Sequence, residues 1–194
     1  MSRLCAFLCA VALCASSAVA QVQSWKIDPN HTAAQFSVRH MGISTVRGAF
    51  TKVSGSAEYD PTNPSKATVE ATIETASVDT RVEMRDNDIK SENLLDVAKY
   101  PTITFKSKSA QPAGEGKLKM TGDLTLHGVT KEVVLDVEGL SAPVTDPRGN
   151  THVGASASTR ISRKDFGVTG RAGVVADEIT ITIDVELVRP APAK

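Results

Sequence analysis

Few side chains in this sequence could carry chemistry, and their spacing decides most of what they can do. Four histidines occur, His31, His40, His127 and His152. No two sit at the short separations of a zinc motif such as HExxH, so the spacing yields no metal site, and no cofactor is expected. There is no GxSxG elbow and no nucleophile that can be placed beside a base, so catalysis is not the expected role. The three cysteines, Cys5, Cys9 and Cys14, all fall in the first twenty residues.

Those twenty residues read as an export signal. Arg3 supplies the positive start, Leu4 to Leu13 the apolar run, and Ala18-Val19-Ala20 the small-residue cleavage pattern. Residues 1–20 are therefore assigned to a signal peptide and 21–194 to one domain, a length that supports a single sizeable core. Such a signal sends the mature chain to the periplasm. Cleavage removes every cysteine, and with them disulfide and thiol chemistry. A lipid-modified Cys14 is disfavoured by the large Leu13 before it. The apolar run is shorter than the roughly 20 residues needed to cross a bilayer, so no transmembrane anchor is expected. Cleavage also changes the balance of 22 basic and 22 acidic residues to 21 and 22, a net charge of −1. A nucleic-acid partner, which calls for a basic patch or stripe, is not expected.

What positions the remaining side chains is a succession of strands. Alternation is cleanest near the end, where Ile179, Ile181, Ile183 and Val185 alternate with Thr180, Thr182, Asp184 and Glu186. Val69, Ala71 and Ile73 repeat the pattern, as do Ile103 with Phe105 and Val133, Leu135 with Val137. Turn residues punctuate the runs at Asp60-Pro61-Thr62-Asn63-Pro64, Gln111-Pro112-Ala113-Gly114, His127-Gly128 and Asp146-Pro147-Arg148-Gly149-Asn150. Strands are expected near 33–40, 45–59, 66–76, 101–109, 116–126, 130–139, 151–162 and 177–188, with a short one at 24–28. One helix is expected between Thr80 and about Lys90, because Thr80-Arg81-Val82-Glu83 has capping-box spacing. Asp86-Asn87-Asp88 weakens it. With so few apolar residues it belongs across an opening of the sheet and not in a core.

An antiparallel sheet with one apolar face must bury that face. The pattern fits a sandwich as well as a barrel, and long strands around a lone helix favour the barrel, which leaves no exposed edges.

Several stretches together resemble the YceI-like family: Asp28-Pro29-Asn30-His31-Thr32 leading to Phe36-Ser37-Val38-Arg39-His40, Gly48-Ala49-Phe50, Arg85-Asp86-Asn87-Asp88-Ile89-Lys90-Ser91, and Thr121 to Lys131, with Arg163-Lys164-Asp165-Phe166-Gly167 in support. They fall in order over nearly all of the mature chain. Where the family commonly has histidine in the helix motif, this chain has Asp88, so a role resting on that histidine does not carry over. The resemblance implies an eight-stranded antiparallel lipocalin-like barrel with one short helix near its mouth. It also implies an elongated apolar cavity that holds a polyisoprenoid, an isoprenoid quinone or a fatty amide, and it admits a homodimer.

Eight-stranded barrels either fill their interior or hold one ligand. Two tyrosines, one tryptophan and five phenylalanines, Phe7 among them in the signal, are few plugs, so a cavity is expected. Inward parity selects Phe36, Val38, Phe50, Ile73, Ile103, Phe105, Leu124, Leu126, Val133 and Leu135 for its wall, although plain packing is the ordinary role for any single one. His40 shares parity with Phe36 and Val38 and is the histidine placed to meet a polar head; a hydrogen-bonded structural role is the commoner one. Met84 from the helix and Phe166 from the late motif complete the candidate ligand-binding set. Arg81, Arg85, Arg163, Lys164 and Arg171 fall near the mouth, where a guanidinium fork suits a pyrophosphate. Beside Glu83, Asp86 and Asp165 they are equally suited to exposed ion pairs. The sequon Asn30-His31-Thr32 is short and carries no weight next to a signal of bacterial type.

Each buried CH₂ contributes about 0.8 kcal/mol, so a tail of ten or more gains roughly 8 kcal/mol against an association cost of at least about 4 kcal/mol. Shape and length can then select a ligand without a sharp polar motif. A periplasmic lipid carrier or buffer is the leading expectation. The alternatives are a stress-related interaction module with a packed barrel, and a cavity enzyme acting on a lipid.

Overall fold

Alternating apolar and polar residues drive nearly all of the chain into strands, and the computed structural model, which describes residues 23–192, shows how those strands close. In chain order they are β1 (Gln23–Ile27), β2 (Ala33–His40), β3 (Ser44–Phe50), β4 (Val53–Tyr59), β5 (Thr68–Glu74), β6 (Val78–Asp79), β7 (Thr102–Pro112), β8 (Leu118–Leu126), β9 (Val129–Glu138), β10 (Val144–Thr145), β11 (Thr151–Ser162) and β12 (Val175–Arg189), with helix α1 (Glu83–Lys90) between β6 and β7. The signal expected at 1–20 lies outside the described residues.

Every pairing is antiparallel. One edge of β12 runs along β11 from Thr151↔Arg189 to Ser162↔Glu178. Its other edge carries β2 and then β1, end to end. β3 and β4 follow one another in the same way beside β2 and β1, as do β6 and β5 beside β3 and β4. From β5 the ladder passes through β7, β8 and β9 to β11. With each end-to-end pair taken as one stave, eight staves close into an up-and-down barrel, and β10 is a short flap on β11.

The strands expected at 33–40 and 151–162 form with those bounds, and most others differ by one to three residues. The run expected at 45–59 is split at Thr51-Lys52. There the backbone N–H of Thr51 donates to the Ser77 carbonyl (3.1 Å) and that of Lys52 to the Ser77 hydroxyl (3.2 Å), so the chain leaves its ladder. Gly55 lets β4 bend beyond this break, because at its φ of +148° a side chain would strike the Glu70 carbonyl oxygen. The helix begins at Glu83, and the capping box at Thr80 does not form. The Thr80 N–H and hydroxyl both donate to Asp86 (2.8 and 2.5 Å), which fixes the approach to the helix and gives the weak helix former Asp86 a purpose.

The end opposite the helix is plugged by Trp25, 1% exposed, whose indole N–H donates to the Tyr59 carbonyl at 3.0 Å. Around it pack Ala57, Leu118, Met120, Leu135 and Val153. Ile103, Leu124, Leu126, Ile161 and Phe166 form a second cluster nearer the helix. The outer face is polar, with cross-strand ion pairs such as Lys106–Glu70 (2.6 Å) and Lys119–Asp136 (2.7 Å). No helix among the described residues is long and apolar enough to cross a membrane.

Candidate functional site

The barrel surrounds a cavity of about 890 Å³. Every stave contributes apolar side chains to its wall: Phe36 and Val38 from β2, Ala57 from β4, Ile73 from β5, Phe105 from β7, Leu124 from β8, Leu135 from β9, Ala157 from β11 and Ile181 from β12 among them. Period-two alternation produces this wall directly, since inward positions along each strand are apolar and outward ones polar. Charged groups on the wall, Arg85, Asp88, Arg163 and Arg171, lie towards the helix end, with Glu58 alone towards the other end.

Phe36, Val38, His40, Phe50, Ile73, Met84, Ile103, Phe105, Leu124 and Leu126 all lie on this wall. Met84 stands at the mouth, 80% exposed. Phe166 lies elsewhere: it is fully buried in the cluster with Ile103, Leu126 and Ile161 and packs behind the wall. The wall also takes Ala155, Ala157, Ile161, Ile179, Ile181 and Ile183 from β11 and β12. Their alternation is visible in the sequence and had marked a strand without marking the cavity.

Two phenylalanines lie flat because glycines on the neighbouring strand make room. A Cβ on Gly48 would stand 2.6 Å from Phe36 Cζ, and one on Gly122 would stand 2.5 Å from Phe105 Cζ. The Phe36 and Phe50 rings sit 5.8 Å apart at 46°.

Of the basic residues expected near the mouth, Arg163 has a different task. It is 4% exposed, and its guanidinium donates to the carbonyls of Val168 (2.8 Å), Gly170 (2.6 Å), Val175 (3.1 Å) and Ala176 (3.1 Å), with Asp177 at 3.6 Å. A buried guanidinium must satisfy its donors, and four carbonyls of the 168–176 segment do so. Lys164 pairs with Asp177 at 2.7 Å. Arg81 is exposed in a left-handed backbone conformation and is absent from the wall. Arg85 and Arg171 do face the cavity: Arg85 donates to the Thr80 hydroxyl and carbonyl (both 2.8 Å), and Arg171 forms a two-point ion pair with Asp88. In each, one terminal amino group of the guanidinium is without a protein partner among the described residues.

The histidines separate. His40 lines the cavity mouth, and His127 packs against Tyr100 with ring centroids 4.3 Å apart and the planes tilted by 53°. His31 and His152, far apart in sequence, converge on Glu186 on the outer face of the barrel. His152 Nδ1 is 2.7 Å and His31 Nδ1 3.9 Å from Glu186 Oε1, while His31 Nδ1 is also 2.9 Å from Asp28 and His152 Nε2 3.3 Å from Asp146. The Asp28 hydrogen bond raises the basicity of His31. Burial works against the charged form of His152, but its bonds to Glu186 and Asp146 outweigh it and raise that pKa as well. Burial likewise opposes the ionised Asp146, and hydrogen bonds from Asn150, His152 and Arg148 nevertheless bring it down to about 2. Sequence spacing missed this cluster because strand register brings it together: β11–β12 pairing puts His152 two residues from the partner of Glu186, and β1 and β2 on the other edge of β12 bring Asp28 and His31.

Comparison with known proteins agrees with this geometry. Protein YceI of Salmonella arizonae is 39% identical over 164 residues, 84% of this chain and 85% of that protein. A crystal structure of the Campylobacter jejuni YCEI protein superposes with a TM-score of 0.69 at 33% identity, covering 78% of this chain and 89% of that one. A polyisoprenoid binding domain from Saccharophagus degradans, implicated in plant cell wall breakdown, shares the fold with a TM-score of 0.65 at 17% identity, over 88% of this chain and all of the other. The YceI-like domain model itself matches residues 25–187, from the Trp25 plug to the wall residue Leu187 on β12, and the chain belongs to the YceI-like family.

Proposed function

We propose that the barrel binds one long apolar ligand, a polyisoprenoid, an isoprenoid quinone or a fatty amide, and serves as its carrier or buffer in the periplasm. The observation that carries this reading is the cavity of about 890 Å³, walled by apolar side chains from all eight staves and bearing its charged groups mainly at one end. That volume sits near the top of the usual range for small-molecule sites, about 300–1,000 Å³. The polarity gradient matches an amphipathic molecule, with the tail running towards the Trp25 end and a polar head among His40, Arg85 and Arg171. Exposed apolar side chains at the same end, Met41 and Ile43 on the β2–β3 turn, Val82 and Met84 at the start of α1, and Val174 before β12, give the tail a route in. The polyisoprenoid binding reported for the Saccharophagus degradans domain supports the ligand class. Among the wall residues no nucleophile and base are paired, which favours binding over catalysis. A void of this size also weighs against a packed interaction module.

The test is extraction. Protein purified from its native compartment under non-denaturing conditions is extracted with organic solvent, and the extract is read by mass spectrometry. A stoichiometric lipid with a long apolar tail is the expected result. A clean extract, together with no thermal shift on adding isoprenoids, quinones or fatty amides, would overturn the proposal.

A further inference from the structure

The outer-face cluster beside the β1–β2 connection has the composition and geometry of a cation site. Asp28 Oδ2, His31 Nδ1 and Glu186 Oε1 offer three ligand atoms, all within 4.8 Å of one another. Around a zinc ion, tetrahedral ligands at about 2.1 Å lie roughly 3.4 Å apart. The observed 2.9 Å between His31 and Asp28 and 3.9 Å between His31 and Glu186 bracket that separation. With all three atoms within 4.8 Å of one another, gathering them round an ion asks for side-chain adjustments on the scale of an ångström.

Charge is the second, independent observation. Asp28, Glu186 and Asp146 bring three carboxylates to one patch, and among the described residues no lysine or arginine pairs with any of them. Elsewhere on the outer wall several acidic side chains have lysine partners, as Glu70, Asp123 and Asp136 do. Only the two imidazoles answer this patch. The third observation is orientation. His152 holds the ligating oxygen of Glu186 through Nδ1 at 2.7 Å, and its Nε2 rests on Asp146 at 3.3 Å. Carboxylates that ligate a metal are usually held by an outer hydrogen bond, and His152 supplies that bond to Glu186.

We infer that Asp28, His31 and Glu186 bind one divalent transition-metal ion of the zinc class on the outer face of the barrel, with His152 as the positioning residue for Glu186. Imidazole nitrogen with carboxylate oxygen suits zinc, whereas calcium takes six to eight oxygens, so calcium is expected to bind poorly. Three protein ligands leave the fourth position to water, which the 64% exposure of the His31 side chain permits. The ion would clip the β1–β2 connection to β12, beside the point where Thr32 already bonds the Glu186 backbone. The site is separate from the cavity, since Glu186 and His152 alternate with the wall residues Val185, Leu187 and Val153.

The test uses exported, untagged protein, stripped with a chelator and titrated with zinc chloride in a calorimeter, with calcium chloride as the control. Expected are one zinc per chain with a Kd on the order of micromolar or tighter, a higher Tm with zinc, and no comparable calcium heat. The exposed His31 can be replaced without a packing loss, so His31→Ala should remain folded by circular dichroism and lose zinc binding at least about tenfold. His152→Gln should weaken it by about 10- to 100-fold while leaving one ion per chain. No saturable zinc binding, or equal binding by wild type and His31→Ala, overturns the inference.

Discussion

Arg171 forks onto Asp88 and so ties the segment leading into β12 to helix α1 across the cavity mouth. Both partners are on the cavity wall, and each belongs to an element that a ligand entering from this end must pass. The pair is half exposed, so Arg171→Ala should leave global stability nearly unchanged. Its effect belongs on the gate. Release of a fluorescent long-chain probe, followed by stopped flow, should be about fivefold faster in Arg171→Ala, and high salt should narrow the difference. Unchanged release at low salt would show that the mouth does not depend on this contact.

Arg163 predicts the opposite balance. Its guanidinium holds two backbone carbonyls of the segment between β11 and β12, Val168 and Gly170, and two at the start of β12, Val175 and Ala176, and it is nearly inaccessible to solvent. Arg163→Ala orphans those carbonyls together and should cost at least about 3 kcal/mol in urea unfolding. Arg163→Lys should recover little, because an ammonium cannot span the same fork. A loss below about 1 kcal/mol for the alanine variant would contradict the staple reading.

Strand periodicity made most of this barrel legible in the sequence, since each stave displays one apolar face and the turns carry their own residues. The cavity wall was legible for the same reason: parity along β2, β5, β7 and β8 picks Phe36, Val38, Ile73, Ile103, Phe105, Leu124 and Leu126 without knowledge of the neighbours. What parity cannot supply is register. The convergence of His31 and His152 on Glu186 depends on how β1 and β2 align with one edge of β12 and β11 with the other, and the burial of Arg163 depends on how the following loop folds back. The start of α1 was misplaced because Thr80, a good cap by type, is claimed by the side chain of Asp86.

Trp25 is the single tryptophan, and it separates stability from binding. Its indole donates to the Tyr59 carbonyl, lies under the Arg189 guanidinium at 5.1 Å, and is absent from the cavity wall. Trp25→Phe loses ring volume and one buried hydrogen bond, together about 2–3 kcal/mol. Thermal unfolding followed by circular dichroism should register that loss, while affinity for the probe should stay within about twofold under conditions where the variant is folded. A large affinity change in the folded variant would mean that the cavity extends to the plug.

Gly48 offers a direct handle on the shape of the cavity. A methyl group there would stand 2.6 Å from Phe36 Cζ and 2.7 Å from Thr80 Cγ2, both of them side-chain atoms, whereas the same change at Gly122 would also meet the Lys106 carbonyl oxygen at 2.6 Å. The backbone can therefore stay in place in Gly48→Ala while the Phe36 ring turns into the cavity, at an overpacking cost of about 1–3 kcal/mol. If tails lie along this wall, the displaced ring shortens the longest one that fits. Across a series of apolar probes of increasing length, Gly48→Ala should bind the short members as the wild type does and the longest about tenfold more weakly, roughly the loss of two buried CH₂ groups. Because every probe meets the same folded protein, a general loss of stability would lower all affinities together, and only a change in cavity length can produce a break at one chain length.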